Sequence, residues 1–345
     1  MRCLSIAKIL RDHSVSVYFA SKTHPGHCIE LIVAKGFKVL PIKAGELIED
    51  ADWCPHANWL RSTEEKDADE VLTLLAEASL TDTIDWVIVD HFSLTEKCHR
   101  LIKQSLDAKV MIIDGLSDRK VDSDILLDPN LVDDIEKKWS RHIPSHTETF
   151  VGPQYFPLRE EFSKLTTKVR TGPVTNLLIC FGGVDKDNMT AKACSATKRW
   201  LEQRHIRCDV TVVIGASHPF KHLIQQSCSQ YGFECWVQTD QMAKFMAHAD
   251  LAIGAAGTMV WERCKLGLPS IIAVIADNQA EQAESLIKRN AVISLGPISE
   301  TFEDDLLARL KMIDETPDLL SEMSANAMEI MAGASEEPVW IKELI

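Results

Sequence analysis

Short apolar runs alternate with amphipathic stretches along most of the chain, and each run is about as long as one β-strand. In the first half, the apolar or β-rich runs are residues 14–20, 37–42, 86–90, 109–114 and 123–128. The helical patterns between and around them are residues 3–12, 27–35, 66–80 and 94–106. Strands that alternate with helices are typical of a parallel sheet that carries helices on both faces.

A polar stretch rich in glycine and proline interrupts this alternation at about residues 145–175, after which the alternation resumes. The strand patterns of the second half are residues 176–181, 209–214, 234–237, 251–253, 270–275 and 291–294. We therefore predict an α/β protein of two Rossmann-like, doubly wound parallel-sheet domains. The predicted organisation is residues 1–150, a connector at 151–173, and residues 174–345 with helices at the C-terminus. We expect the two domains to face each other across a ligand-binding cleft.

Composition narrows the class of ligand. The 345 residues are 46% hydrophobic and carry a formal net charge of −14, which argues against nucleic acid and anionic lipid as partners. No apolar run reaches the roughly 18 residues of a membrane span. Residues 1–7 lead into a charged helix without a signal-peptide pattern, so we expect a cytoplasmic protein. The ten cysteines form no Cys-x-x-Cys pair, and we predict no metal site.

The strongest candidate for a ligand site is the glycine- and alanine-rich turn that ends at Gly257, after the strand pattern at residues 251–253. Small residues leave this turn without side chains. The N–H groups of Thr258, Met259 and Val260 are therefore expected to point outward at the start of a helix. Exposed amides in this arrangement suit a pyrophosphate.

Two further groups of residues accompany this turn. Glu262 lies one turn into the helix; its carboxylate suits ribose hydroxyls, or alternatively stabilises the N-terminal end of its own helix. Asn278 and Gln279 follow residues 270–275, and their amides suit pyrophosphate or sugar hydroxyls because they both donate and accept hydrogen bonds.

A third loop, after residues 176–181, contains Gly182, Gly183 and Asp185. Glycines at this point let the backbone approach a ligand closely, although a tight turn alone would also explain them. In the first half, Asp90 and His91 follow a strand pattern and are candidate acid–base groups. The alternative for His91 is an exposed or indirectly acting histidine.

These motifs resemble a known family. The segments GGVD, GAAGTMVWERCKLGLPSI and ADNQ, which begin at residues 182, 254 and 276, resemble the C-terminal half of the UDP-sugar hydrolase of pseudaminic acid biosynthesis. In the first half, MRCLSIA, VIVDHF and GPQYFPLREEF are similar to the same family, which is related in fold to the peptidoglycan GlcNAc transferase. The resemblance implies a GT-B fold. It also implies metal-independent, cofactor-free hydrolysis of UDP-2,4-diacetamido-2,4,6-trideoxy-β-L-altropyranose to UDP and free sugar, by water attack at the anomeric carbon.

One departure from the family concerns catalysis. The resemblance implies a first strand and a Gly-x-Gly-His loop before the Arg-Cys-Leu motif, and the histidine of that loop is the implied general base. This sequence has Met1 directly before Arg2 and Cys3, so these residues are absent from it. We expect either an upstream start codon or a truncated chain, in which a missing central strand leaves backbone groups unpaired.

The sequence therefore predicts a UDP-sugar hydrolase whose catalytic base is not identified, with Asp90 and His91 as supporting candidates. The alternatives are a UDP-sugar glycosyltransferase of the same fold and a catalytically inactive UDP-sugar-binding form. The acidic balance disfavours a transferase with a lipid acceptor. UDP binding by the second domain requires none of the absent residues, and oligomeric state is not indicated.

Overall fold

The structure is a computed structural model that describes residues 2–345. It divides into two compact units. The first unit comprises the chain up to Pro157 together with Glu337–Ile345, and the second comprises Leu158–Glu336. Both units are built from parallel strands connected by helices, as the sequence predicts. No helix in residues 2–345 is long and apolar enough to cross a bilayer.

The first unit contains two sheets. Its strands are β1 (Tyr18–Lys22), β2 (Lys38–Ile42), β3 (Trp86–Val89), β4 (Lys109–Ile113), β5 (Ile125–Asp128) and β6 (Glu148–Val151). Its helices are α1 (Arg2–Asp12), α2 (Ile29–Ala34), α3 (Glu64–Glu77), α4 (Glu96–Leu106) and α5 (Ile135–Trp139), with 3₁₀ turns at Ala57–Trp59, Thr81–Thr83, Pro153–Tyr155 and Val339–Glu343. β1 pairs with β2, and β3-β4-β5-β6 form a separate parallel sheet in that order.

Helix α1 packs against both sheets of the first unit. Ile6 and Leu10 belong to a buried cluster with Met111 of β4, whereas Ala7 packs with Phe37 at the start of β2. The apolar residues of the amphipathic helix predicted at residues 3–12 therefore contact both sheets. Among the described residues, neither β1 nor β3 has a second strand partner.

The second unit contains one six-stranded parallel sheet. Its strands are β7 (Asn176–Cys180), β8 (Asp209–Ile214), β9 (Glu234–Val237), β10 (Leu251–Ala255), β11 (Ser270–Val274) and β12 (Val292–Pro297). Its helices are α6 (Glu160–Ser163), α7 (Met189–Leu201), α8 (Lys221–Tyr231), α9 (Met242–His248), α10 (Met259–Lys265), α11 (Ala280–Lys288), α12 (Phe302–Glu315) and α13 (Leu319–Ile330), with a 3₁₀ turn at Asp277–Gln279.

The strand order of this sheet is β12-β11-β10-β7-β8-β9. The chain thus builds outward from β7 to β9 and then crosses back to place β10 on the other side of β7. The strands are nearly continuous apolar runs because helices cover both faces; Leu177, Ile253 and Ile271 are at most 1% exposed.

One sequence-based boundary needs correction, and two elements of the first unit were not predicted. The C-terminal residues were expected in the second domain, but Glu337–Ile345 belong to the first unit. Trp340 is fully buried beside Ile6 and Met111, and its indole N–H donates to the carbonyl of Tyr155 at 2.9 Å. β6 and α5 were not predicted from the sequence, because both are short and contain charged or polar residues.

Candidate functional site

The three loops that the sequence singled out follow three adjacent strands of the second unit. β10 pairs with β7 on one side and with β11 on the other, so the loops after these strands lie along one edge of the sheet. The strand order reverses between β7 and β10. In open parallel sheets this reversal point, at the carboxyl ends of the strands, is where ligands bind.

The turn between β10 and α10 presents open backbone amides. The N–H groups of Gly257, Thr258 and Met259 make no hydrogen bond within the described part of the chain, and Thr258 is exposed. Val260 is different, because it is buried and its N–H donates to the carbonyl of Gly257 at 2.9 Å. The prediction that the Val260 amide points outward is therefore wrong. The first turn of α10 has already used that donor.

Two glutamines support this turn. Gln282 Nε2 donates to the carbonyl of Ala256 at 3.0 Å and lies 3.4 Å from that of Gly257. Gln279 accepts the N–H of Ile275 through Oε1 at 3.2 Å, while its Nε2 lies 3.5 Å from the position a Cβ at Gly257 would take. The structure therefore brings the predicted Gln279 beside the turn. Asn278 is exposed on the same loop.

The loop after β7 also has the properties expected of a close backbone approach. Gly182 has φ of 102°, a conformation that strongly favours glycine, and nothing lies within 4 Å of a Cβ built on Gly182 or Gly183. A Cβ at Gly215, in the loop after β8, would by contrast lie 2.0 Å from the carbonyl oxygen of Gly183. The Gly183 backbone is thus packed on one side and open on the other.

Asp185 has a structural role instead of the predicted ligand contact. Its carboxylate is 2% exposed and accepts the N–H groups of Met189 and Thr190 and the hydroxyl of Thr190 at 2.7–2.9 Å. His218 Nε2 lies 3.5 Å away. The side chain holds the start of α7 with donors that a helix leaves unsatisfied, so the prediction of direct contact is corrected.

Glu262 is buried and already paired. Arg159 Nε and Nη2 donate to its two carboxylate oxygens at 2.7 and 3.0 Å, and Glu262 is 5% exposed. The sequence expectation considered ribose or the helix itself as partners and did not include Arg159. The segment GPQYFPLREEF contains this arginine, but nothing in a linear pattern shows which carboxylate it meets.

Asp90 and His91 lie in the first unit, at the carboxyl end of β3. Arg2 and Cys3 bind the Asp90 carboxylate. Burial alone would raise the pKa of Asp90, but the hydrogen bond and charge of Arg2 outweigh it and hold the pKa below its usual range. His91 accepts the N–H of Ser93 through Nδ1 at 3.2 Å, and burial lowers its pKa, so its imidazole is neutral near pH 7.

A polar cavity of about 790 Å³ lies beside these loops of the first unit, with Trp53, Thr95 and Arg119 in its lining. Arg119 is not a free cation, because Asp114 and Asp118 lie 2.6 and 3.1 Å from its Nη1. Within residues 2–345, no group of three or more His, Cys, Asp or Glu side chains is arranged to hold a metal ion.

The second unit is similar to a domain of known proteins. Residues 177–338 match the model of the glycosyltransferase family 28 C-terminal domain. The second unit is similar to that domain over almost its whole length.

Two curated relatives match about two thirds of the chain. They are the uncharacterized protein MJ1062 of Methanocaldococcus jannaschii, 26% identical over 63% of the chain, and the spore coat polysaccharide biosynthesis protein SpsG of Bacillus subtilis, 21% identical over 65%. The match spans 46% of the first relative and 65% of the second.

Solved structures share the fold over the entire chain. MurG of Acinetobacter baumannii superposes with a TM-score of 0.61 at 15% identity, covering 100% of this chain and 94% of MurG. The spinosyn rhamnosyltransferase SpnG, solved with thymidine diphosphate, superposes with a TM-score of 0.63 at 12% identity, covering 99% of this chain and 96% of SpnG. The chain thus has the two Rossmann-like units of GT-B glycosyltransferases, which confirms the predicted fold class.

Proposed function

We propose that this chain binds a UDP-sugar at the carboxyl ends of β7, β10 and β11 and hydrolyses the bond between the sugar and the diphosphate. The observation that carries the proposal is the row of open amides at Gly257, Thr258 and Met259, at the point where the strand order reverses. Unbonded N–H groups on a glycine-rich turn are ready donors for phosphate oxygens.

The neighbouring groups fit the rest of a nucleoside diphosphate. Gln279 Nε2 and the exposed Asn278 are further donors beside the turn, and the open face of Gly182 and Gly183 leaves room for a ligand. Glu262 remains the candidate for the ribose hydroxyls. Arg159 takes one acceptor position on each carboxylate oxygen, and a carboxylate offers about four such positions in all.

Hydrolysis is the finer part of the proposal. Water adds to the anomeric carbon, the bond from that carbon to the diphosphate oxygen breaks, and UDP leaves with the electron pair, while a base accepts the proton of the water. Asp90 and His91 are retained as candidate supporting groups, because a carboxylate and a neutral imidazole are both groups that can accept a proton. The resemblance to the pseudaminic acid hydrolase favours a 2,4-diacetamido-2,4,6-trideoxy sugar as substrate.

Glycosyl transfer from the same UDP-sugar is the second candidate, and the match to a glycosyltransferase C-terminal domain favours it. The name of the relative SpsG, a spore coat polysaccharide biosynthesis protein, is compatible with either reaction. A third possibility that the sequence raises is a binder without turnover.

Product analysis separates these functions. The chain is incubated with UDP-2,4-diacetamido-2,4,6-trideoxy-L-altrose, without any acceptor, and free sugar and UDP are measured. Equal release of both supports hydrolysis. Release only after a sugar or lipid acceptor is added identifies a transferase, and tight UDP binding without turnover identifies a binder. The absence of both binding and turnover contradicts the proposal.

A further inference from the structure

Arg263 is a buried cation without a carboxylate partner. It lies on α10 and is 2% exposed. Its Nη2 donates to the carbonyl of Ala255 at 2.7 Å, whereas its buried Nε has no hydrogen-bond partner among the described residues. Among residues 2–345, Arg263 forms no ion pair with a carboxylate. A buried charge in proteins is normally paired or fully hydrogen-bonded.

A second buried arginine of the same unit, Arg170, has a guanidinium group with many hydrogen-bond acceptors. Arg170 is 3% exposed and donates to five carbonyls. Four of them, those of Met246, Ala247, Ala249 and Leu266, lie near the C-terminal ends of α9 and α10, and the fifth is that of Lys168. Helix C-termini carry partial negative charge, so this environment balances the cation. Arg263 has a single carbonyl in place of five.

The position of Arg263 connects its unbalanced charge to the strand ends. Its Nη1 lies 2.7 Å from the position a Cβ at Gly254 would take, so the guanidinium fills the space that the missing side chain leaves under β10. The turn with the open amides begins directly after this strand. Among the described residues, no ion pair joins Arg263 to the adjacent Glu262, whose two carboxylate oxygens accept hydrogen bonds from Arg159.

We propose that Arg263 supplies a fixed positive charge beneath the β10–α10 turn, and that the diphosphate of a bound nucleotide is the anion that balances it. This inference rests on the proposed function, because it names a residue that selects for charge at the same site. A nucleotide with two phosphates then gains more from Arg263 than one with a single phosphate, and a nucleoside gains nothing.

The test measures binding of uridine, UMP and UDP to Arg263→Met and Arg263→Lys by calorimetric titration. Arg263→Met is expected to weaken UDP binding by about 10- to 100-fold, the range for losing one interaction with a charged group. UMP loses less, uridine changes by less than about twofold, and Arg263→Lys retains most of the UDP affinity because it keeps the charge. Arg170→Met is the matched control. Any change that it causes in affinity should be the same for uridine, UMP and UDP.

Thermal unfolding of the ligand-free variants supplies a second readout. Arg263→Met should be at least as stable as the parent, since it removes an unbalanced buried charge, whereas Arg170→Met should be less stable. Equal loss of affinity for all three ligands overturns the inference. Failure of both Arg263→Met and Arg263→Lys to fold also overturns it, because the arginine would then have a structural role. If the parent chain binds none of the ligands, the proposed function itself fails as well.

Discussion

Gly254 and Gly257 lie three positions apart in the same turn region, yet they differ in what surrounds them. A Cβ at Gly254 would lie 2.2 Å from the carbonyl oxygen of Cys180 on the paired strand β7. A Cβ at Gly257 would meet only Gln279 Nε2, at 3.5 Å. One glycine is required by strand packing, and the other leaves the turn open to solvent and ligand.

The substitution Gly254→Ala is therefore expected to destabilise the second unit by about 2 kcal/mol or more, because the clash is with backbone that cannot rotate away. Gly257→Ala is the matched control and should change the free energy of unfolding by less than about 1 kcal/mol. Urea unfolding, followed through amide exchange in β7 and β10, measures both. Equal stability of the two variants contradicts the assigned packing.

His99 is expected to make the stability of the first unit depend on pH. It is fully buried in α4, its Nδ1 accepts the N–H of Asp122 at 3.3 Å, and burial lowers its pKa from 6.5 to about 3. The unfolded chain therefore binds a proton that the folded chain does not between these pH values. Stability should fall as the pH drops below about 6.5, by up to about 1.4 kcal/mol per pH unit.

The contribution of His99 is measured as the difference between the parent and His99→Asn in urea unfolding at pH 6.5 and pH 5. The parent should lose more stability than the variant over this interval, in which carboxylates with ordinary pKa values remain ionised. His146→Asn, at an exposed position, should behave like the parent. An unchanged pH dependence in His99→Asn would contradict the assignment of a neutral buried imidazole.

At the scale of elements, the first unit has two sheets that share their covering layers. Helix α1 packs on both sheets. Leu40 of β2 and Val89 of β3 also belong to one hydrophobic cluster, so the two sheets share a second layer. A strand that paired with both β1 and β3 would join the two sheets into one.

Hydrogen exchange tests whether β1 and β3 each have an edge without a strand partner. Strand amides without a hydrogen-bond partner need no opening of the structure to exchange, so the amides of β1 and β3 that do not face β2 or β4 should exchange well before those of β4. The strands β4 and β5, which are paired on both sides, are the internal reference. Protection of β1 and β3 equal to that of β4 would show that both edges are covered.

Most elements of the second unit follow directly from the sequence, and the exceptions have physical causes. The runs at residues 209–214 and 234–237 coincide with β8 and β9, because short β-rich runs between turn signals indicate strands. α10 is only seven residues long, which periodicity does not reveal. The return of residues 337–345 to the first unit depends on a tertiary contact of Trp340 that no local pattern encodes.

At the scale of the whole molecule, the sequence predicts which strand ends form the candidate nucleotide site. It does not predict the hydrogen-bond and ion-pair partners of the side chains there. Parallel alternation and glycine placement locate the loops after β7, β10 and β11, since both are properties of the local chain. The partners of Asp185 and Glu262 depend on residues 5 and 103 positions away. The unbalanced charge of Arg263 is visible only when its surroundings in three dimensions are known.

The location of the nucleotide site is the central claim, and hydrogen exchange in the presence and absence of UDP tests it most directly. UDP should slow exchange of the amides at Gly257, Thr258 and Met259, with smaller effects at residues 182–183 and 278–279. The amide of Val260, already bonded to Gly257, should change little. UDP binding that protects other segments and leaves the β10–α10 turn unchanged would contradict the account.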